Sequence, residues 1–343
     1  MSALEKIESF IKFRVQVMRK THKQISEELQ TNFPGERGFS VRSIERFCSE
    51  KGIKKMSQLS DREVDMIVSE AIVQVGPTYG RKTMAGLLAA RGVHISQNRV
   101  ASSLSRNNSA YHNARTTATA RQTNPIPYYA EYAGHKLHID QNEKLVMYGV
   151  THIAVVDSYS GMIVGFISMP IKNNVDIYEH LYQPIIQQYG LWDQIRVDQG
   201  KEWILKLYVQ ECLAHLRHNT KRSPHMQSTS KQNHCVEHIW VEINSRVNYP
   251  IKTCLITLEG NGDINRDCHH TKFCMSWYTL QVANIGTTMA VQAWNYHVIP
   301  GSKRQRGVPI HLMLESNMAQ MIDPNAIPDG QSALQSFESI GDT

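Results

Sequence analysis

The chain has 343 residues, 41% of them hydrophobic and 20% charged, with a formal net charge of +6. That is enough apolar material for two or three packed domains, which excludes a chain disordered throughout. No apolar run approaches the ~20 residues needed to span a bilayer, and the first ten residues carry charges where a secretion signal would need an apolar stretch.

The charge is unevenly placed. Residues 1–125 hold 20 Lys/Arg against 11 Asp/Glu, and the remainder of the chain is slightly acidic. Between Glu70 and Glu131 there is no acidic residue, while Arg81, Lys82, Arg91, Arg99, Arg106, Arg115 and Arg121 all fall inside. Such a stretch attracts a polyanion, because each neutralised phosphate releases counterions. The six cysteines show no CxxC pair, so single reduced thiols are expected rather than a disulfide framework.

Residues 5–20 carry apolar positions at helical spacing. Thr21 is placed to cap a second helix, and after a turn-rich loop at 32–38 Ser40 opens a third, with Val41, Ile44 and Phe47 on one face and Arg42 and Arg46 elsewhere. The pattern repeats with helices expected at 61–73, 80–92 and from Ser96 onward, the last offering Gln97, Asn98 and Arg99 in its first turn. A basic third helix is the layout of a helix-turn-helix that reads DNA, although a solvated basic face has the same composition. Candidate DNA contacts are therefore Arg42, Arg46, Arg81, Lys82, Gln97, Asn98 and Arg99. Residues 1–56 and 57–106 make two such units, and 107–132, rich in Asn, Thr, Ala and Pro, reads as a linker.

From residue 133 the texture changes. Strands are expected at 136–140, ending in Asp140, at 150–157 and at 162–169, followed by a helix at 174–189 kinked at Pro184. A short strand at 194–198 ends in Asp198, and a helix follows at 202–216. A later helix carries Val236, Ile239, Trp240, Ile243 and Val247 on one face and begins beside Glu237. Three antiparallel strands and then helix–strand–helix is the order of an α/β ribonuclease H-like fold, expected over 133–255. A helical extension follows at 256–322, and a flexible tail, frayed and polar, at 323–343.

The segments Leu137–Asp140, Val197–Gly200 and Asn233–Glu237 resemble the three motifs of retroviral-integrase-like DDE transposases. Residues 138–144, 240–250 and 293–297 are similar to stretches of eukaryotic transposon-encoded integrase-core proteins. The similarity covers roughly residues 20–310. It implies that Asp140, Asp198 and Glu237 are the catalytic metal ligands, with Asp140 bridging, and that the cofactor is Mg²⁺ or Mn²⁺, two ions per site. The chemistry suits that set: two hard cations ~3.5–4 Å apart activate a nucleophile and stabilise a leaving oxygen in phosphodiester transfer, and they take carboxylate oxygens. The implied activity is cleavage of DNA ends and transfer of 3′-hydroxyl strands into target DNA. The implied partners are double-stranded DNA and further copies of the chain, in the nucleus.

Several choices stay open on sequence alone. Glu242 competes with Glu237 on the same helix. Asp157 could be a fourth ligand, although a structural role at a tight turn is favoured, and Glu202 reads as a helix cap or ligand support. Asn142, Lys144, Gln199, Lys201 and Asn233 could contact DNA or orient ligands, and Lys231 is the expected contact from the polar loop 221–231. Cys254, Cys268, His269, His270 and Cys274 cluster loosely, with spacings wider than zinc sites use. The alternatives to an active integrase are a domesticated, catalytically silent DNA-binding protein and a nuclease acting on RNA–DNA hybrids.

Overall fold

A computed structural model of the chain describes residues 3–109, 111, 129–227, 234–299 and 307–341. Most of the expected linker, and Lys231 and Asn233, lie outside the described residues.

The N-terminal third is helical. Short helices Ala3–Lys6 and Glu8–Lys12 and a π-helical turn Phe13–Val17 lead into α1 (His22–Asn32) and α2 (Val41–Glu50). Thr21 accepts from the Gln24 amide while the Gln24 side chain takes the Thr21 N–H, a capping box that fixes where α1 starts. Ile25, Leu29, Ile44 and Phe47 close a small core of their own. The second unit is α3 (Asp61–Val75), α4 (Arg81–Ala90) and α5 (Gln97–Asn107). Its caps are Ser60, which shares a capping box with Glu63, and Ser96. Its core, built on Val64, Val68, Met84, Leu87 and Val100, also takes in Ala293 from the far end of the chain.

The centre is a five-stranded mixed sheet in the order β3-β2-β1-β4-β5. Its strands are β1 (Lys136–Leu145), β2 (Val150–Asp157), β3 (Ile163–Met169), β4 (Gln194–Val197) and β5 (His225–Gln227). β1, β2 and β3 pair antiparallel, and β4 and β5 continue parallel to β1. Every residue of β2 is buried, because helices cover both faces. One face packs on α6 (residues 174–189) and α7 (Ile204–Cys212), through Ile177, Leu181, Ile185 and Leu205. The other packs on α8 (His234–Ile243) and on the long helix α10 (His269–Tyr296), through Val236, Ile239, Trp240 and Ala290. A π-helical segment Asn244–Asn248 and α9 (Tyr249–Gly260) join those two. This arrangement fits a ribonuclease H-like core with helical flanks.

Three local expectations change. β1 does not end at Asp140 but runs on to Leu145, because its pairing with β2 continues through Gln141–Ile153 and Asn142–His152 before a bulge. α6 is not bent by Pro184 alone: Tyr178–Tyr182 is π-helical just ahead of it, and a widened turn accommodates a residue that has no N–H to give. The flexible tail is also corrected. After α11 (Pro309–Ser316), residues 330–341 form helix α12 (Gly330–Gly341), with Ala333 and Ile327 buried in the main core. Asp329 caps it by accepting from Ser332 N at 2.8 Å. Phe337 packs edge-on against Tyr208 of α7, and Tyr178 donates to the Pro328 carbonyl at 2.6 Å.

Candidate active site

The sheet register builds the site. The parallel pairing of Lys136 with Gln194 and His138 with Arg196, carried two residues further, brings Asp198 alongside Asp140. β4 ends at Val197, so its ladder with β1 stops there, and Asp198 just past the end of β4 comes beside Asp140 within β1. The first turn of α8 supplies Glu237 from the adjoining face.

Electrostatics tie the three together. Asp140 is held well above the ordinary carboxylate range, at about 6, first by burial and then by repulsion from Asp198 and Glu237. Two hydrogen bonds oppose that rise, one from the Gln141 backbone and one from the Trp240 indole, whose Nε1 donates to Asp140 Oδ2 at 2.9 Å. Asp198 likewise has an indole partner, its Oδ1 accepting from Trp203 Nε1. Trp203 is fully buried and carries the Lys206 ammonium 4.8 Å from its ring centroid. Lys206 is itself buried, donates to the Glu202 carbonyl at 2.6 Å, and is depressed to about 7 by desolvation. Sequence reasoning missed both indoles. Each stands close to its carboxylate in sequence or on the helix of the third acid, but a tryptophan in a core pattern does not announce where its N–H will point.

The structure separates the competing residues. Glu242 forms an ion pair with Arg246 one turn on, whereas Glu237 is the glutamate that acts on Asp140. Asp157 is fully buried and accepts from Gly134 N, Trp192 Nε1, Tyr159 N, Ser160 N and Ser160 Oγ, so its oxygens are committed to the turn it caps. Glu202 lies 3.5 Å from Lys172 Nζ, which also reaches Glu143 at 2.7 Å and Gln141 at 3.1 Å. Lys172 thereby brackets the rim beside Asp140, a residue no motif singled out. Asn142 does not face a ligand. It is buried and bonded to Asn244 at 3.1 Å and Asn248 at 3.3 Å. Lys144, Gln199 and Lys201 are exposed.

Among the N-terminal candidates, Arg42, Arg46, Arg81 and Asn98 are exposed and Lys82 and Gln97 half-buried. Arg99 departs from the expected outward presentation, because its guanidinium is committed to Asp61 at 2.6 Å and the Leu59 carbonyl at 2.7 Å, bracing α5 on α3.

The donor set of the centre is three carboxylates. Crowded negative charge that has lost water, as at Asp140, is what a hard divalent cation relieves. Among the described residues no group of three or more His, Cys, Asp or Glu side chains converges closely enough to hold a metal ion in the positions seen, the stretch from Cys254 to Cys274 included. The described cysteines, Cys48, Cys212, Cys254, Cys268 and Cys274, are all free thiols.

Residues 128–326, more than half of the chain, match the family model described as the integrase core domain, and the chain belongs to that family. No curated protein matches the chain. No helix among the described residues is long and apolar enough to cross a membrane.

Proposed function

We propose that the chain is a DDE-type integrase or transposase that cleaves DNA ends and transfers their 3′-hydroxyls into target DNA in the nucleus. The observation that carries this reading is Asp140, half-buried beside the end of β4 and raised first by that burial and then by repulsion from Asp198 and Glu237, in an integrase-core member. Asp140, Asp198 and Glu237 would hold Mg²⁺ or Mn²⁺, which when bound supplies Lewis-acid stabilisation of the phosphodiester oxygens. The protein's own part is positional. Trp240 and Trp203 orient the two aspartates by their indole N–H groups, and the buried sheet beneath keeps Asp140 and Asp198 in one register. The two N-terminal helical units serve as DNA-binding modules, using the exposed Arg42, Arg46, Arg81 and Asn98.

The chain acts as a homo-oligomer, since two DNA ends must be joined in one event. Supporting this, α10 presents Phe273, Trp277, Tyr278, Val282 and Ile285 to solvent, Phe273 being 71% exposed. An apolar stripe of that kind marks an association surface. Trp277→Asp is expected to shift the sedimentation of the purified protein towards the monomer.

The test of activity is Mn²⁺-dependent nicking and strand transfer on supercoiled plasmid, wild type against Asp198→Asn. Loss of one metal-binding charge should lower the rate roughly a thousandfold while DNA binding is retained. Silence of both proteins with intact DNA binding, even on candidate terminal repeats, would identify a domesticated DNA-binding protein instead. Cleavage confined to RNA–DNA hybrids would identify a nuclease.

A further inference from the structure

A second polar site lies away from the carboxylates and shares no residue with them. Where the first helical unit meets α4, the end of α10 and α11 there is a cavity of about 770 Å³. Its cationic lining is Arg19, Lys20, Lys55 and Lys82. Lys20 is spoken for, at 3.2 Å from both Glu28 and Glu315, and Glu27 on the rim lies 3.9 Å from Lys23. Arg19, Lys55 and Lys82 line the cavity with no carboxylate within ion-pair distance among the described residues. Arg19 donates through Nη2 to the Met56 sulfur at 2.9 Å, a weak acceptor for a guanidinium.

Two further observations mark the cavity as built rather than incidental. Among the described residues the buried Arg19 Nε, His311 Nε2 and His94 Nδ1 have no hydrogen-bond partner, and a buried guanidinium N–H left so is costly unless something supplies an acceptor. Arg19 is also the one non-glycine among the described residues with positive φ, at 54°. A non-glycine residue held there carries strain that the surrounding structure must enforce, and such strain concentrates where ligands bind. Burial first, and then repulsion from Arg19, disfavours the cationic forms of Lys55, His94 and His311. An anion would satisfy the orphaned Arg19 Nε and relieve that repulsion together.

We propose that this cavity is a phosphate site, in which Arg19, Lys55 and Lys82, with Arg19 Nε as a buried donor, take a phosphate-bearing ligand at the junction of the first helical unit and the core. Guanidinium and ammonium groups around one space favour phosphate over a carboxylate because three oxygens accept at once. The phosphate comes either from the backbone of bound DNA or from a free phosphorylated molecule.

The test uses the full chain in metal-free buffer and pyrophosphate as the probe, read by calorimetry and thermal shift. A Lys55→Gln, Lys82→Gln double variant changes two surface amines without touching a core. Arg19→Gln is the second, independent variant. Asp198→Asn keeps the cavity and serves as the control that must behave as wild type here whatever it does in nicking. Pyrophosphate is expected to bind wild type at least about tenfold more tightly than either cavity variant. Duplex DNA is then measured by anisotropy against salt. A parallel loss, with the salt slope smaller by about 1–2, assigns the phosphate to DNA, whether or not pyrophosphate binds alone. Weakened pyrophosphate binding with unchanged DNA binding assigns it to a free phosphorylated ligand. If neither probe separates the cavity variants from wild type, the proposal is overturned.

Discussion

Asp140 should destabilise the metal-free protein at neutral pH, and Asp140→Asn should remove the cost. Its carboxyl titrates at about 6 in the folded chain against an ordinary value of 3.8. At about 1.36 kcal/mol per pKa unit, that rise is worth about 3 kcal/mol. The sign follows from proton uptake: the folded state holds this proton more tightly than the unfolded state does. The contribution is therefore neutral near pH 3, grows unfavourable as the pH climbs from about 4 to about 6, and is complete by pH 7. Asparagine retains an oxygen for the Trp240 N–H and carries no charge, so the variant should unfold at higher temperature than wild type at pH 7 in EDTA. For a unit of about 150–250 residues, 1 kcal/mol moves Tm by about 2–4 °C, which sets the expected gain at roughly 5–10 °C. At pH 4.5 the difference should shrink to about a third. Added Mg²⁺ or Mn²⁺ should raise the wild type and leave the variant unmoved, since binding to the native state alone stabilises it. A variant less stable than wild type at pH 7, or a difference that does not change with pH, would refute the reasoning.

Three other perturbations probe the packing around the site. Asn248→Ala should cost about 2–4 kcal/mol in urea denaturation, because it strips a buried acceptor from His152 Nε2 at 2.9 Å and a donor from Asn142 and Asn244; a loss below about 0.5 kcal/mol would contradict the network. Gly86→Ala would place a Cβ 2.3 Å from the Ala293 carbonyl oxygen and 2.9 Å from His297 N, so α4 must shift off α10. A loss of about 1–3 kcal/mol and faster proteolysis within 57–109 are expected, and an unchanged melting profile would count against the docking. Truncation after Pro328 should lower stability measurably, since Ala333 and Phe337 leave Tyr208 and its surroundings uncovered; a truncated chain as stable as the full one would restore the picture of a dispensable tail.

What could be read in the sequence is what repeats or caps. Thr21, Ser40 and Ser96 announced helix starts because a side-chain oxygen there satisfies an otherwise orphaned amide. The β2 run Val150–Asp157 declared a strand by its apolar and β-branched residues, Val150, Thr151, Ile153, Val155 and Val156. Asp140, Asp198 and Glu237 were singled out by their motifs, and while Asp198 does follow the end of a strand and Glu237 does lie at a helix start, Asp140 sits within β1 rather than at its end. What stayed hidden depends on tertiary placement. The indoles of Trp203 and Trp240 read as core, and their N–H direction is fixed only by the packing of α7 and α8. Asn142 looked like a ligand-facing polar residue because a sequence does not show that Asn244 and Asn248, far along the chain, fold back onto it. Residues 330–341 looked like a tail because Gly, Gln and Ser hid the two apolar positions that dock, and the cap Asp329 went unread.

The second helical unit is fastened to the helix that carries Glu237. Arg246 lies midway along the π-helical continuation of α8, is 7% exposed, and reaches Thr83 Oγ1 of α4 at 3.1 Å while stacking 5.1 Å from the Tyr79 ring centroid. It is anchored on its own helix by Glu242. The same unit is seated on α10 through Gly86 and Ala293, where the helices approach as closely as a missing side chain permits. A small displacement of α4 therefore has to be taken up either by breaking the Arg246 contacts, which would leave a buried guanidinium short of partners, or by moving α8 with it. Because packed helices shift as units, a load on the second unit, such as DNA would exert if it binds there as proposed, has a mechanical route to the carboxylate of Glu237 that does not pass through solvent. Arg246→Lys keeps the charge but not the fork that spans Glu242 and Thr83. It should leave DNA affinity near wild type while lowering the rate of nicking, and a loss of both in equal measure would show that Arg246 serves only to hold the fold.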